Sequence, residues 1–236
     1  MAGRDRTALT YKYERWRAVT NGMLETAGTT FLLLIAVKWF KSGATAKALV
    51  AGGGSTGLLL TPLVVSLVQG AGWPVAKAAS CLAAGGAACF LVMALAPWLP
   101  VFVIGSVVSM AASSAAIPLM TQVYQENYPE KQRGRFFSRT VMIRIGVAAL
   151  FSELAGRALS AHVDQFRWLL LVFAGAFAFS SYCLSRCPSR PLTASDGSHP
   201  FRALHYARRD RLFRQTLICW MLMGFANLMM LPMRVE

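Results

Sequence analysis

Acidic residues are scarce in this chain: ten Asp and Glu stand against 24 Lys and Arg in 236 residues. Charged residues of both signs make up only 14%, where a soluble domain carries about a quarter. That scarcity argues against water as the solvent for most of the surface. Histidine occurs three times, too sparsely for a ligand cluster. The five cysteines lie at 81, 89, 183, 187 and 219, an odd count without disulfide-framework or zinc spacing. Cys183 and Cys187 are one helical turn apart, but no histidine or acid stands beside them, so they read as small buried hydrophobes. No metal and no cofactor are expected. The first seventeen residues are polar and basic and lack the short apolar core of a cleaved signal peptide.

What is abundant is apolar: 56% of residues are hydrophobic and the mean hydropathy is +0.48. The net charge of +14 could be a nucleic-acid footprint. Its distribution sets that aside, because the basic residues sit between long apolar runs. Seven runs of bilayer-spanning length are expected near 18–40, 46–69, 75–96, 99–124, 140–160, 167–185 and 215–233. Tyr11, Tyr13 and Trp16 lead into the first, and Trp39 and Phe40 close it, as interfacial aromatics do. The fold class is therefore all-α, a polytopic transmembrane helix bundle whose first partner is the lipid bilayer.

Alternate connections differ in charge. Five Lys or Arg lie in 1–18, one at Lys77, four in 126–139 and seven in 186–214, which places 17 on one side. The other side holds five: Lys38, Lys41, Lys47, Arg157 and Arg167. The excess orients the N-terminus, the 126–139 connection and the 186–214 connection toward the cytoplasm. Tyr128–Arg139, YPEKQRGRFFSR, reads as a cytoplasmic loop, since Pro129 stops a helix and the charges exclude lipid. Residues 186–214, with Pro188, Pro191 and Pro200, read as a basic linker. Its end, 201–213, has the spacing of a surface helix, and His199 and His205 are solvated there.

GGGSTG at 52–57 is followed by Leu58 and not by a Lys–Ser/Thr pair, so it is no phosphate loop. Gly53 and Gly57 form a GxxxG packing step instead, and Pro62 kinks the same helix. Gly105, Ser109 and Ser113, and Ala79, Ala83 and Ala87, read as further helix seams. Asn21, Glu25 and Thr29 recur every four residues and share one face of the first helix, either as a cavity-facing stripe or as an interhelical clamp. Arg144 lies at a depth comparable to Glu25, and the two are expected to pair. Glu153 and Arg157 form a local structural ion pair, and Asn227 is the polar group of the seventh run.

Six helices, a long basic connection and a seventh helix resemble the first half of a major facilitator superfamily transporter. Pro129, Glu130, Arg133, Gly134 and Arg135 resemble the cytoplasmic loop motif that family carries between its fourth and fifth helices. The resemblance implies a six-helix bundle over 1–185, a linker over 186–214 and the start of a second bundle at 215–236. It implies no enzymatic activity but secondary transport of a small solute by alternating access. Asn21, Glu25, Thr29, Arg144 and Asn227 would then face the substrate pathway. The chain would be a truncated half whose partner is the missing C-terminal half, in the bacterial plasma (inner) membrane. Two features depart from the family: 67–77 has no acid and only Lys77, and 99–124 has no Arg. Those residues usually serve gating and proton coupling. The alternatives are a membrane-embedded enzyme, such as a lipid head-group or acyl transferase, or a non-transporting scaffold. The enzyme reading finds only His162 beside Asp164.

Overall fold

The computed structural model describes residues 2–161, 163–192 and 209–233. They form an all-helical bundle: α1 (Ala2–Thr26), a π-helical turn (Ala27–Phe31), α2 (Leu32–Lys38), α3 (Ala44–Gly70), α4 (Val75–Leu95), α5 (Leu99–Asn127), α6 (Glu130–Ala161), α7 (Phe166–Ser185) and α8 (Arg211–Met233). Among the described residues five segments are long and apolar enough to cross a membrane: Asp5–Lys38, Ala44–Gly70, Val75–Leu95, Leu99–Asn127 and Phe166–Ser185. Their length and composition are consistent with an integral membrane protein. α6 is not among the five, because Arg144, Glu153 and Arg157 interrupt its apolar half.

Helices α3, α4, α5 and α7 match the apolar runs closely, being bounded by residues that stop helices. Gly43 is extended before α3, Pro74 precedes α4, and Trp98 is extended before α5. α1, α6 and α8 start well before their apolar runs. Position 128–139 is therefore not a loop. Only Tyr128 and Pro129 break the chain, and α6 begins at Glu130. Lipid tolerance ends where charges begin, but helicity does not, and Glu130 in the first turn suits the helix dipole. The Arg133 guanidinium reaches back to the carbonyl oxygens of Gln125 and Tyr128 at 3.2 and 3.4 Å, capping the end of α5. α8 likewise starts at Arg211, where the Asp210 carboxylate accepts the N–H groups of Leu212 and Phe213, an N-cap. Its described side chains, 211–226, are all exposed. The expected surface helix falls mostly outside the described residues, as do His162, His199 and His205.

α4 packs between α5 and α7, α3 lies on α5, and α1 lies against α6 and α7. Lipid tails are as apolar as leucine, so such contacts depend on close fit. The expected glycine step supplies it. A Cβ at Gly53 would lie 3.2 Å from Val107 Cα and Met110 Cβ, and one at Gly57 would overlap the Ala111 backbone. α4 and α7 are joined by a reciprocal clamp, in which the Ser80 and Ser181 hydroxyls each donate to the other's carbonyl at 2.9 Å. The rings of Phe31, Phe90, Phe151, Phe173 and Phe177 fill the centre. α3 stays helical through Pro62.

The first residues after α7 are docked on the bundle. Asn127 donates to the Pro188 carbonyl, the Ala76 N–H to the Ser189 hydroxyl, and the Arg190 N–H to Glu126. Cys187, which immediately precedes this strap, is buried, and burial, then the Glu14 carboxylate, push its thiol up to about 12. Maleimide should leave Cys187 unlabelled in the folded protein and label it after denaturation. Rapid labelling in the folded state would show that the strap is not docked.

Candidate functional site

A cavity of about 560 Å³ opens between α1, α3, α4, α5, α6 and α7, a size suited to a small-molecule ligand. α1 contributes Arg17, Asn21, Leu24 and Glu25, and the π turn contributes Gly28 and Thr29. Ser55 and Leu58 come from α3, Ser113, Ser114, Met120 and Tyr124 from α5, Phe137 and Arg144 from α6, and Phe177 and Ser180 from α7. Apolar surface predominates in the walls, with polar side chains from α1, the π turn, α3, α5, α6 and α7 set into it.

Of the residues expected in a substrate pathway, Asn21, Glu25, Thr29 and Arg144 line this one cavity. Asn227 lies in the helical backbone of α8, with its side chain outside the described ones. Arg144 Nε stands 3.1 Å from Glu25 Oε2, with both side chains about 40% exposed. The pair is loose: Arg144 Nε makes no hydrogen bond, so its N–H is not aimed at the carboxylate. Gly22 is what lets α6 come so near, since a Cβ there would lie 2.5 Å from the Arg144 carbonyl oxygen. The Thr29 hydroxyl donates to the Glu25 carbonyl at 2.9 Å, inside the π turn. Such single-turn insertions are frequent at functional sites, and this one sits in the cavity wall.

Glu153 and Arg157 pair at 2.6 Å on an exposed face, away from the cavity. Such a pair contributes about 0.3–0.5 kcal/mol. Ser113, expected in a seam, is exposed and lines the cavity, whereas Ser109 is fully buried. Glu130, Gly134 and Arg135 are exposed on the first turns of α6.

A second charged cluster, where the N-terminal half of α1 meets the end of α5, was not anticipated. Arg17 donates to both carboxylate oxygens of Glu14, at 2.8 and 2.7 Å, and to the Tyr124 hydroxyl at 2.9 Å. The Tyr124 hydroxyl in turn donates to Glu14. Glu14 is 3% exposed, so these residues are no solvated tail. Tyr128 stacks on Tyr124 at 5.6 Å between ring centres, and burial raises its hydroxyl well above the ordinary tyrosine range. The signal was present in the sequence. Thr10, Glu14 and Arg17 continue the Asn21, Glu25, Thr29 stripe backward at helical spacing.

The described residues thus define an all-helical protein with five helices able to cross a membrane and a polar-striped internal cavity. No known protein family, curated protein or solved structure matches the chain.

The Glu25–Arg144 contact should show in a double-mutant cycle. Glu25→Gln and Arg144→Gln are each expected to lower thermal stability more than additivity with the double change allows. The coupling should be about 0.5–1 kcal/mol for a half-exposed pair. Strictly additive melting temperatures would show that the pair has no energetic content.

Proposed function

We propose that the bundle is the solute-binding part of a secondary membrane transporter, working by alternating access. The observation that carries this reading is the cavity itself. One membrane helix turns its polar stripe and a π turn into a space of ligand size. Charged groups within a membrane protein face such aqueous paths or one another, and Glu25 does both. Glu25 also lies within the Asp5–Lys38 span, and transporters hold solute inside the membrane. The likeness to the major facilitator superfamily rests on layout and on Pro129, Glu130, Arg133, Gly134 and Arg135, and remains part of the proposal. So does the orientation, with N-terminus and Lys131 in the cytoplasm. The buried Glu14–Arg17–Tyr124 cluster closes the cytoplasmic end in this conformation and would have to open for release on that side.

The test is solute exchange by the protein in its full natural reading frame, reconstituted in liposomes loaded with a metabolite extract. Saturable exchange that falls at least about tenfold in Glu25→Gln or Arg144→Gln is expected, the loss of one charge-assisted contact. Flux equal to protein-free liposomes would refute transport.

A further inference from the structure

We propose that the Glu25–Arg144 pair recognises a small zwitterion, a solute carrying an ammonium and a carboxylate group a few ångströms apart, as an α-amino acid does. This rests on the reading of the cavity as a solute site.

Two acid–arginine pairs involve α1, one within it (Glu14–Arg17) and one to α6 (Glu25–Arg144), and they differ in kind. Arg17 and Glu14 are bidentate, buried and bonded further to Tyr124. Three of the five Arg17 donors are used in this way, and Glu14 balances its charge at close range. Arg144 and Glu25 approach closest at 3.1 Å, Nε to Oε2, without an aligned hydrogen bond there, and both are about 40% exposed. A guanidinium has five donors and a carboxylate about four acceptor positions, so most of their capacity is unused. A pair built to hold α1 and α6 together would resemble the first.

Charge balance selects the ligand class. With the Arg17 charge balanced by Glu14, the cavity offers one further positive and one further negative group among the described residues. An anion that took Arg144 would leave Glu25 unpaired inside the bundle, and a cation that took Glu25 would leave Arg144 so. At about 40% exposure an uncompensated charge here carries a partial penalty, smaller than full burial would impose. A zwitterion exchanges partners with both groups at once: its carboxylate meets the Arg144 guanidinium and its ammonium meets Glu25. Rejection of singly charged analogues follows from the same penalty. Leu24, Leu58, Met120 and Phe177 line the remaining space, which leaves an apolar wall for a side chain.

The experiment uses the purified chain in detergent and reads its melting temperature against three matched probes. These are an equimolar mixture of free α-amino acids, the same mixture as methyl esters (ammonium only), and the same mixture N-acetylated (carboxylate only). Free amino acids alone should raise the melting temperature, by about 3 °C or more at ten times the dissociation constant. The shift should vanish in Glu25→Gln and Arg144→Gln and persist in Glu153→Gln. Should the Gln variants fail to fold, Glu25→Asp and Arg144→Lys should shrink the shift. Equal shifts from esters or N-acetyl derivatives would overturn the zwitterion and leave a solute site. No shift from any probe, with saturable exchange of the metabolite extract intact, would also overturn the zwitterion alone. No shift and no exchange would remove both readings.

Discussion

Glu14→Gln is expected to remove most of the folded protein. The Arg17 guanidinium would keep its charge and its buried place while losing the carboxylate that holds it through two hydrogen bonds. Breaking a buried pair from one side costs about 3–5 kcal/mol, a large part of a typical domain's net stability. Arg17→Met should cost a similar amount, since it strands Glu14 beside the Tyr124 hydroxyl. The double change, Glu14→Gln with Arg17→Met, should be much less harmful than the two costs added together, because no lone charge remains. Tyr124→Phe removes only a hydroxyl and should cost about 1–3 kcal/mol. Monodispersity and melting temperature in detergent would rank the four. If Glu14→Gln melted within a degree of the parent protein, the cluster would be no part of the folded core.

Gly57→Val should be the second severe change, for a steric reason. A Cβ at Gly57 overlaps the Ala111 carbonyl oxygen, Cα and carbonyl carbon. Backbone cannot rotate aside as a side chain can, so α3 and α5 would have to separate along a seam that also holds Gly53. Overpacking costs about 1–3 kcal/mol where side chains can yield, and more is expected here. Even Gly57→Ala should destabilise, although alanine favours a helix by about 1 kcal/mol over glycine. Gly52 gives the contrast: nothing lies within 4 Å of a Cβ there, so Gly52→Ala should be neutral or stabilising. Melting temperatures that moved in the same direction for Gly52→Ala and Gly57→Ala would exclude the close α3–α5 crossing.

Apolar run length located α3, α4, α5 and α7, because each lies within one solvent from end to end. It misplaced the starts of α1, α6 and α8, which begin outside the apolar region, where charged side chains and helices are compatible. The exposed Lys131 and Arg135 look identical in sequence whether they lie on a loop or on a first helical turn. The face shared by Asn21, Glu25 and Thr29 was legible from spacing alone, and so was the Gly53–Gly57 step. Its contact with Ala111 was not, since nothing local to α5 marks that residue. Glu14 and Arg17 show a local i, i+3 pair in sequence, but what buries them is Tyr124, 107 residues from Arg17. The π turn had no signal either, because Ala27–Phe31 is as compatible with a regular helix as with a widened one.

The most direct measurement is cysteine accessibility of the bundle in native membranes, with the natural cysteines replaced. Asn21→Cys, Thr29→Cys and Ser113→Cys would report the cavity, and Leu59→Cys and Leu150→Cys the outward faces of α3 and α6. A small water-soluble methanethiosulfonate reacts with thiolate, and each unit of pKa rise in hydrocarbon removes tenfold of it. The three cavity positions should therefore react at least about tenfold faster than the two outward ones. Equal rates across all five, or faster reaction at Leu59→Cys and Leu150→Cys, would contradict a water-filled cavity within a membrane-embedded bundle.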